Sequence, residues 1–237
     1  MSEVKVKFKT ITPLWTGDAW MKNHEIRPSS IIGSLRFWFE VICYFTGITT
    51  DNDYENGKLK ANITSDKFKK EFLELKNQKP YKNEHRLKDM VLAKLGVPLP
   101  ARIFGCTGWK SLIKIKNIDN NHNNIYGNFQ ITFEIEQNLV NSIFYPLLNF
   151  IDKYGFLGEK WNKGYGRIKI LSIKNNGQKL NILDNCKEFC FGQFCKYKYE
   201  KDKKDKNKIV LDGCYEDKGF NDIIDNKTNF MEKIDLF

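Results

Sequence analysis

The alternation Val4-Lys5-Val6-Lys7-Phe8-Lys9 begins the pattern that decides the fold of this chain. Apolar and charged residues that alternate with a period of two predict a strand with one buried face. Apolar residues then recur at helical spacing from Ile31 to Phe45, and Gly47 is placed to end that helix. We expect Ser29 or Ser30 to cap its start.

A second set of elements follows further along the chain. Residues 112–118 and 129–135 predict two strands joined by an Asn-rich turn. Residues 139–151 predict a helix that Pro146 must kink or restart. Residues 167–174 predict another strand. The order strand, helix, insertion, strand, strand, helix, strand is the split β-α-β pattern of a ferredoxin-like or RRM-like fold.

Domain organisation follows from this order. With 237 residues, the chain has room for one to two domains of about 150 residues. We expect an α+β protein with an RRM-like domain over residues 1–175, interrupted by a helical insertion at about residues 48–109. Residues 176–237 form a C-terminal extension, either a much reduced second half or a segment with another job.

The formal charge of +10 is unevenly placed. Residues 196–237 contain ten basic and ten acidic side chains, so the whole excess lies in residues 1–195. A basic body predicts a polyanion partner, most often nucleic acid. The alternative is a composition bias, since 34 of the 39 basic residues are Lys and only five are Arg.

Hydropathy and cysteine usage favour a cytoplasmic protein. No apolar run approaches the ~18 residues that a spanning helix needs, and the first residues lack an apolar signal-peptide core. We therefore expect no membrane contact and reduced thiols. The spacing of Cys186, Cys190, Cys195 and Cys214 lacks the tight C-x2-C pair of common zinc sites, so zinc is the weaker interpretation and no cofactor is expected.

The segment Gly155–Arg167 has the composition of a loop that holds an anion. Glycines let a backbone approach a ligand closely, and Gly164 and Gly166 lie among cations and aromatics. We expect phosphate contacts from the cations and base stacking from the aromatics of this segment, which are Lys160, Lys163, Arg167, Trp161 and Tyr165. The alternative is an ordinary helix-to-strand turn with surface lysines.

The segment Glu25–Trp38 predicts an anion site of another kind. Its helix begins after an Arg27-Pro28 turn, and free amides at a helix N-terminus attract anions. Lys22 lies just before this segment. Arg36 and Glu40 are four residues apart and would share one helix face as an ion pair. A third segment, Arg102–Trp109, is punctuated by glycines, but its composition indicates no chemistry.

Four segments together resemble the RAMP superfamily of CRISPR proteins over about residues 3–174. Thr12–Gly17 resembles the exit of its first strand, and Arg27–Trp38 resembles the signature R-P-x-S-I-x-G-x-L-R-x-W. Ile103–Trp109 resembles its F-G loop, and Gly155–Arg167 its glycine-rich loop. The chain is most similar to the first subunit of the type III-B (Cmr) effector. It departs from that family in its shorter length and in having Lys160 and Lys163 where the family's loop is often richer in Arg.

The resemblance implies a non-catalytic RNA-binding subunit of a type III-B CRISPR ribonucleoprotein for antiviral defence. Its partners would be guide RNA near its 3′ end, target RNA and other RAMP subunits. The expected RNA contacts combine the two anion-binding segments and their neighbours: Lys22, Arg27, Arg36, Lys160, Trp161, Lys163, Gly164, Tyr165, Gly166 and Arg167.

Two other functions remain open from the residues. A metal-independent RAMP endoribonuclease that processes guide precursors would use His as general acid or base. His24 is the best candidate for that role, because it lies between Lys22 and Arg27 in the sequence. A pure scaffold would dock neighbouring subunits through the amphipathic helix at residues 68–75 and the neutral tail.

Overall fold

The residues described by the computed structural model are 1–17, 23, 25–78, 83–120, 126–180, 186–201 and 207–221. In chain order the elements are β1 (Ser2–Thr10), α1 (Pro28–Phe45), β2 (Tyr54–Glu55), β3 (Lys58–Leu59), α2 (Ser65–Gln78), α3 (Glu84–Lys94), α4 (Leu99–Phe104), β4 (Ile113–Asn120), β5 (Asn128–Ile135), α5 (Gln137–Leu139), α6 (Tyr145–Tyr154), β6 (Ile168–Asn175), β7 (Gln178–Leu180), β8 (Glu188–Phe189), β9 (Cys195–Lys201), β10 (Asn207–Cys214) and β11 (Lys218–Gly219).

The main sheet has five strands in the order β4-β5-β1-β6-β7, and all neighbours in it are antiparallel. The register of β1 on β5 runs from Ser2 opposite Ile135 to Lys9 opposite Asn128. Counting only the four strands of the split pattern, the second and third along the chain pair with each other, and the first lies between the third and the fourth. This is the ferredoxin-like arrangement, so the predicted fold class is confirmed.

The inner face of this sheet is apolar because β1 alternates as its sequence predicts. Val4, Val6 and Phe8 are fully buried, whereas the lysines between them are exposed. The Phe8 and Phe129 rings stack at 5.1 Å between centroids across β1 and β5. The burial of these side chains is the main driving force for the fold of this part of the chain.

Pro146 lies inside a helix that runs without a break over residues 137–154, so it does not restart the helix. A π-helical stretch, Val140–Phe144, follows α5, and α6 then begins at Tyr145 with Pro146 in its first turn. The Tyr145 amide donates to the Val140 carbonyl five residues back, so the hydrogen-bond pattern changes directly before the proline, which cannot donate to the preceding turn.

The predicted cap of α1 is wrong by two to three residues. The helix begins at Pro28, so Ser29 and Ser30 lie inside its first turn. The Ile31 amide donates to the Arg27 carbonyl at 3.3 Å, which makes Arg27 the residue that precedes the helix. Proline is favoured at the first helical position, and it moves the start ahead of both serines. The other end follows the prediction, since Gly47 takes φ +71° just after the last turn.

The chain divides into two compact units, one of Met1–Val41 with Ile113–Phe189 and one of Ile42–Leu112 with Cys190–Phe237. The first unit holds the five-stranded sheet. The second holds α2, α3, α4 and the β9–β10 pair, and it contains the predicted insertion, residues 48–109. The assignment of residues 176–237 to a reduced second half stays a prediction.

Strands after β6 were not expected from the sequence. Cys195, Tyr197 and Tyr199 alternate with lysines in β9, which is a period-two signal that the highly charged composition of this region obscures. Cys195 and Tyr197 are buried and pack with Ala93 of α3. The C-terminal region therefore contributes to the core of the second unit.

Candidate nucleic-acid interface

A groove of ≈ 510 Å³ lies in the first compact unit between the start of α1 and the glycine-rich loop, which is the segment Gly155–Arg167. Both of its walls come from segments that the sequence singles out. The residues that line it are Ser29, Ser30, Gly33, Ser34, Phe37, Phe156, Gly158, Glu159, Lys160 and Trp161.

Two glycines set the path of the loop. Gly158 has φ +80°, and a Cβ there would lie 2.2 Å from the Trp15 carbonyl oxygen. Gly166 has φ +85°, and a Cβ there would lie 2.1 Å from the Leu157 carbonyl oxygen. A larger residue at either position would clash with the backbone and strain φ, so the loop reaches its packed position only with glycine.

Hydrogen bonds from α1 hold the loop against the helix. The Gly158 amide donates to Ser34 Oγ at 2.7 Å, and that hydroxyl donates to the Ser30 carbonyl at 2.8 Å. Trp38 Nε1 donates to the Phe156 carbonyl at 3.0 Å. These hydrogen bonds join the two walls of the groove, so the distance between the walls is fixed.

Arg167 fastens the base of the loop. Its guanidinium donates through Nη1 to the Gly155 carbonyl and through Nη2 to the Lys153 carbonyl at 3.2 Å. These carbonyls are at the C-terminal end of α6, where a cation interacts favourably with the helix dipole. Arg167 is thus placed as a positioning residue, in contrast to the phosphate contact that the sequence predicts for it.

Aromatic side chains form one side of the groove. Trp161 stacks on Phe156 with 4.9 Å between centroids and 10° between planes, and it is 38% exposed. The Phe156 ring centroid in turn lies 6.2 Å from the ring centroid of Phe37 in α1. This series gives a flat surface of the kind on which an unpaired base stacks. The predicted RNA contacts do not include Phe156, although this aromatic residue follows Gly155 directly in the same glycine-rich loop.

Two lysines lie on the loop beyond the aromatic surface. Lys160 takes a left-handed conformation with φ +58°, and its Nζ lies 3.2 Å from the centroid of the Trp15 ring. Such a cation–π contact holds the ammonium group in place. Lys163 is exposed in a 3-10 turn that ends at Gly164. Tyr165 contacts Trp15 edge to face at 6.0 Å rather than standing free for a base.

The N-terminus of α1 supplies the polar wall. This 18-residue helix has no acidic residue in its first turn, and the amides of Ser29 and Ser30 precede the first helical hydrogen bond. The Arg27 amide is already used, since it donates to Thr16 Oγ1 at 3.2 Å. The partial positive charge of the helix therefore faces the groove without a side-chain carboxylate of its own first turn to neutralise it.

Arg36 is engaged with a partner on the same helix. Its Nε lies 2.6 Å from Glu40 Oε1, which is the ion pair that the spacing predicts. Burial raises the pKa of Glu40, and the neighbouring guanidinium opposes that rise by a smaller amount. Arg36 is outside the residues that line the groove.

The remaining candidates are Lys22, His24 and the four cysteines. Lys22 and His24 lie outside the described residues. Among the described residues, no group of three or more His, Cys, Asp or Glu side chains could hold a metal ion. Cys195 and Cys214 are register partners in the β9–β10 pair, and burial raises the pKa of Cys195 to about 12. Cys186 and Cys190 belong to no such metal-binding group.

The architecture and the groove together define a ferredoxin-like protein whose glycine-rich loop packs on the N-terminal half of its first helix. The model of the RAMP superfamily matches residues 7–169, so the chain belongs to that superfamily. The predicted membership is confirmed. No curated protein matches the chain.

Solved structures with similar folds include CRISPR proteins. Cmr1 from Pyrococcus furiosus in its apo form matches at 15% identity with a TM-score of 0.42, over 75% of this chain and 51% of that one. This chain thus spans about half the length of that protein. A chain of a type IV-B CRISPR complex matches at 11% identity with a TM-score of 0.45, over 76% of this chain and 92% of that one. In the part of the chain that the structure describes, no helix combines the length and hydropathy needed to cross a bilayer.

Proposed function

We propose that this chain is a non-catalytic RNA-binding subunit of a type III-B CRISPR ribonucleoprotein effector in the cytoplasm. In this role it contacts guide RNA near its 3′ end and helps engage target RNA, alongside other RAMP subunits, in antiviral defence. The proposal combines membership in the RAMP superfamily with the motif resemblance of Arg27–Trp38 and Gly155–Arg167.

The observation that carries the proposal is the composition of the groove. Its polar wall is a helix N-terminus, its other wall is a flat aromatic surface, and one acidic and one basic residue, Glu159 and Lys160, also line it. A phosphate group fits the polar wall, and a base fits the aromatic one. Neither contact reads a base edge, so this surface favours RNA of any sequence, as a subunit that handles many guides requires.

The test is charge reversal on the loop. Lys163→Glu is the cleaner change, because Lys163 is exposed, whereas Lys160 also contacts the Trp15 ring. We expect the Lys160→Glu/Lys163→Glu variant to lose at least about tenfold in affinity for single-stranded RNA, with a smaller salt dependence. Fluorescence anisotropy with a labelled unstructured RNA measures both quantities.

A matched control is Lys67→Glu/Lys69→Glu, which changes the net charge equally on the exposed side of α2 in the other compact unit. Equal losses in both variants, or none in either, would contradict the groove assignment.

The nuclease alternative is tested by incubating the chain with RNA and running the products on a denaturing gel. Metal-free cleavage that disappears in His24→Ala would replace the binding-subunit proposal. Guide RNA and RAMP subunits should co-purify with the tagged chain from its native cells.

A further inference from the structure

The outward face of the main sheet is rich in exposed lysines. We define the lysine face as the side chains that β1, β6 and β7 present away from the apolar inner face. They are Lys5, Lys7, Lys9, Lys169, Lys174 and Lys179.

The register places these lysines against one another. Lys174 is the direct cross-strand partner of Lys5 on one side and of Lys179 on the other, and Lys9 is the partner of Lys169. Neighbouring strands are about 4.8 Å apart, so three ammonium groups share one row about 10 Å long. Like charges directly opposite each other destabilise a sheet, so the fold itself gains nothing from this arrangement.

Acidic partners compensate some of these lysines but not all of them. Lys5 pairs with Glu3 at 3.2 Å, and Lys169 pairs with Asp152 at 2.6 Å. Within the described residues, no salt bridge includes Lys7, Lys174 or Lys179. The centre of the row therefore carries an unneutralised positive charge.

The residues beside the lysines suit a phosphate backbone. Gln130 and Asn128 of β5 face Lys7 and Lys9, and these four residues line a depression of ≈ 550 Å³ together with Asp119 of β4, which accepts from Gln130 Nε2 at 3.2 Å. Among the described strands, the register positions of this face hold no aromatic side chain, since both stacked rings of the Phe8–Phe129 pair are buried. Such a surface neutralises phosphates but offers no platform for bases.

We propose that the lysine face is a second nucleic-acid surface, which binds the phosphate backbone of single-stranded RNA. The inference rests on the proposed function only in that the chain binds RNA, and it adds a surface separate from the groove. The lysine face begins next to the groove's loop, because Lys169 follows Arg167 by two residues in the same unit. An RNA strand that leaves the loop therefore meets Lys9 and Lys169 first.

The test removes three of these charges without introducing new ones. We expect Lys7→Gln/Lys174→Gln/Lys179→Gln to flatten the plot of log affinity against log salt by about 2, because each lost phosphate contact on a single strand is worth about 0.7. The melting temperature should not fall, since the variant relieves like-charge repulsion. Anisotropy titrations of the full chain, with a labelled unstructured RNA of about 20 nucleotides in about 50–200 mM KCl, measure the slope.

The control Lys67→Gln/Lys69→Gln/Lys70→Gln removes the same charge from exposed positions of α2. An unchanged slope in the sheet variant, or an equal change in the control, overturns the inference. If Lys163→Glu weakens binding while the sheet variant does not, the groove proposal stands and the lysine face fails. The reverse result supports the lysine face and refutes the groove. A wild-type chain that binds no RNA overturns both.

Discussion

Two glycine-punctuated segments, Arg102–Trp109 and Gly155–Arg167, have similar compositions and opposite physical roles. Both contain an arginine, a tryptophan and closely spaced glycines. Arg102 is 1% exposed and its charge is used inside the second compact unit. In the other segment the loop lysines and Trp161 face outward around a groove. Composition alone therefore singles out both segments, but it does not show whether their charged side chains form buried ion pairs or face a ligand.

The buried segment is built around one ion pair. Arg102 Nη1 lies 3.1 Å from Asp89 Oδ1 and donates to the Cys195 carbonyl at 2.8 Å, while Nε donates to the Val97 carbonyl at 2.6 Å. The Asp89 carboxylate also accepts the Cys195 amide at 2.6 Å. Burial alone would lower the pKa of Arg102, but nearby charge, chiefly that of Asp89, raises it overall. The guanidinium thus joins α3, α4 and β9.

The largest effect is expected from breaking this pair. Arg102→Met should cost about 3–5 kcal/mol of folding free energy, because it leaves the partly buried Asp89 carboxylate without its partner. Urea unfolding followed by circular dichroism measures the loss. The double variant Arg102→Met/Asp89→Leu should recover part of it, since neither charge then remains. A loss below about 1 kcal/mol would show that Arg102 resembles a surface cation after all.

The second prediction compares two glycines of the exposed segment. Gly158 and Gly164 both have φ near +80°, but a Cβ at Gly164 meets nothing within 4 Å, whereas one at Gly158 meets the Trp15 carbonyl. Gly164→Ala should cost about 1–2 kcal/mol from backbone strain. Gly158→Ala should cost about 3 kcal/mol, because the clash is added. Equal losses in thermal unfolding would mean that the loop does not pack on Trp15 as described.

Much of the fold could be predicted from the sequence, because it depends on local periodicity. The alternation in β1 and the order of the elements predict the sheet, whereas the π-helical stretch before Pro146 is not predicted. The role of Arg102 could not be predicted, because it depends on Asp89 and Cys195, which lie 13 and 93 positions away in sequence. The use of Arg167 within the loop could not be predicted either, because its acceptors are backbone carbonyls, which every residue provides.

The third prediction separates stability from binding at the groove. Gly33 lies in the middle of a wall formed by α1, and a Cβ there would meet nothing within 4 Å. Gly33→Ala should therefore stabilise the helix by about 0.5–1 kcal/mol. If RNA occupies the groove, the added methyl group should weaken RNA binding several-fold, and Gly33→Leu should weaken it further. Variants that are more stable and bind RNA normally would place the ligand elsewhere.

The smallest effect concerns Arg36 and Glu40, which extend the comparison to a half-exposed ion pair. Arg36→Gln should cost only about 0.3–0.5 kcal/mol near neutral pH, as expected for an ion pair four residues apart on one helix. Loss of Arg36 removes the contribution that lowers the pKa of Glu40, so that pKa should rise further above its ordinary value. A raised carboxyl pKa favours folding while the group is protonated, and this stability is lost as pH increases through the folded-state pKa. The variant should therefore match the wild type below about pH 4 and fall behind it as the pH approaches 7, and at neutral pH Arg102→Met should cost more than Arg36→Gln. Urea titrations of both variants across this range test whether burial, rather than the presence of an ion pair, decides how much an arginine contributes to this fold.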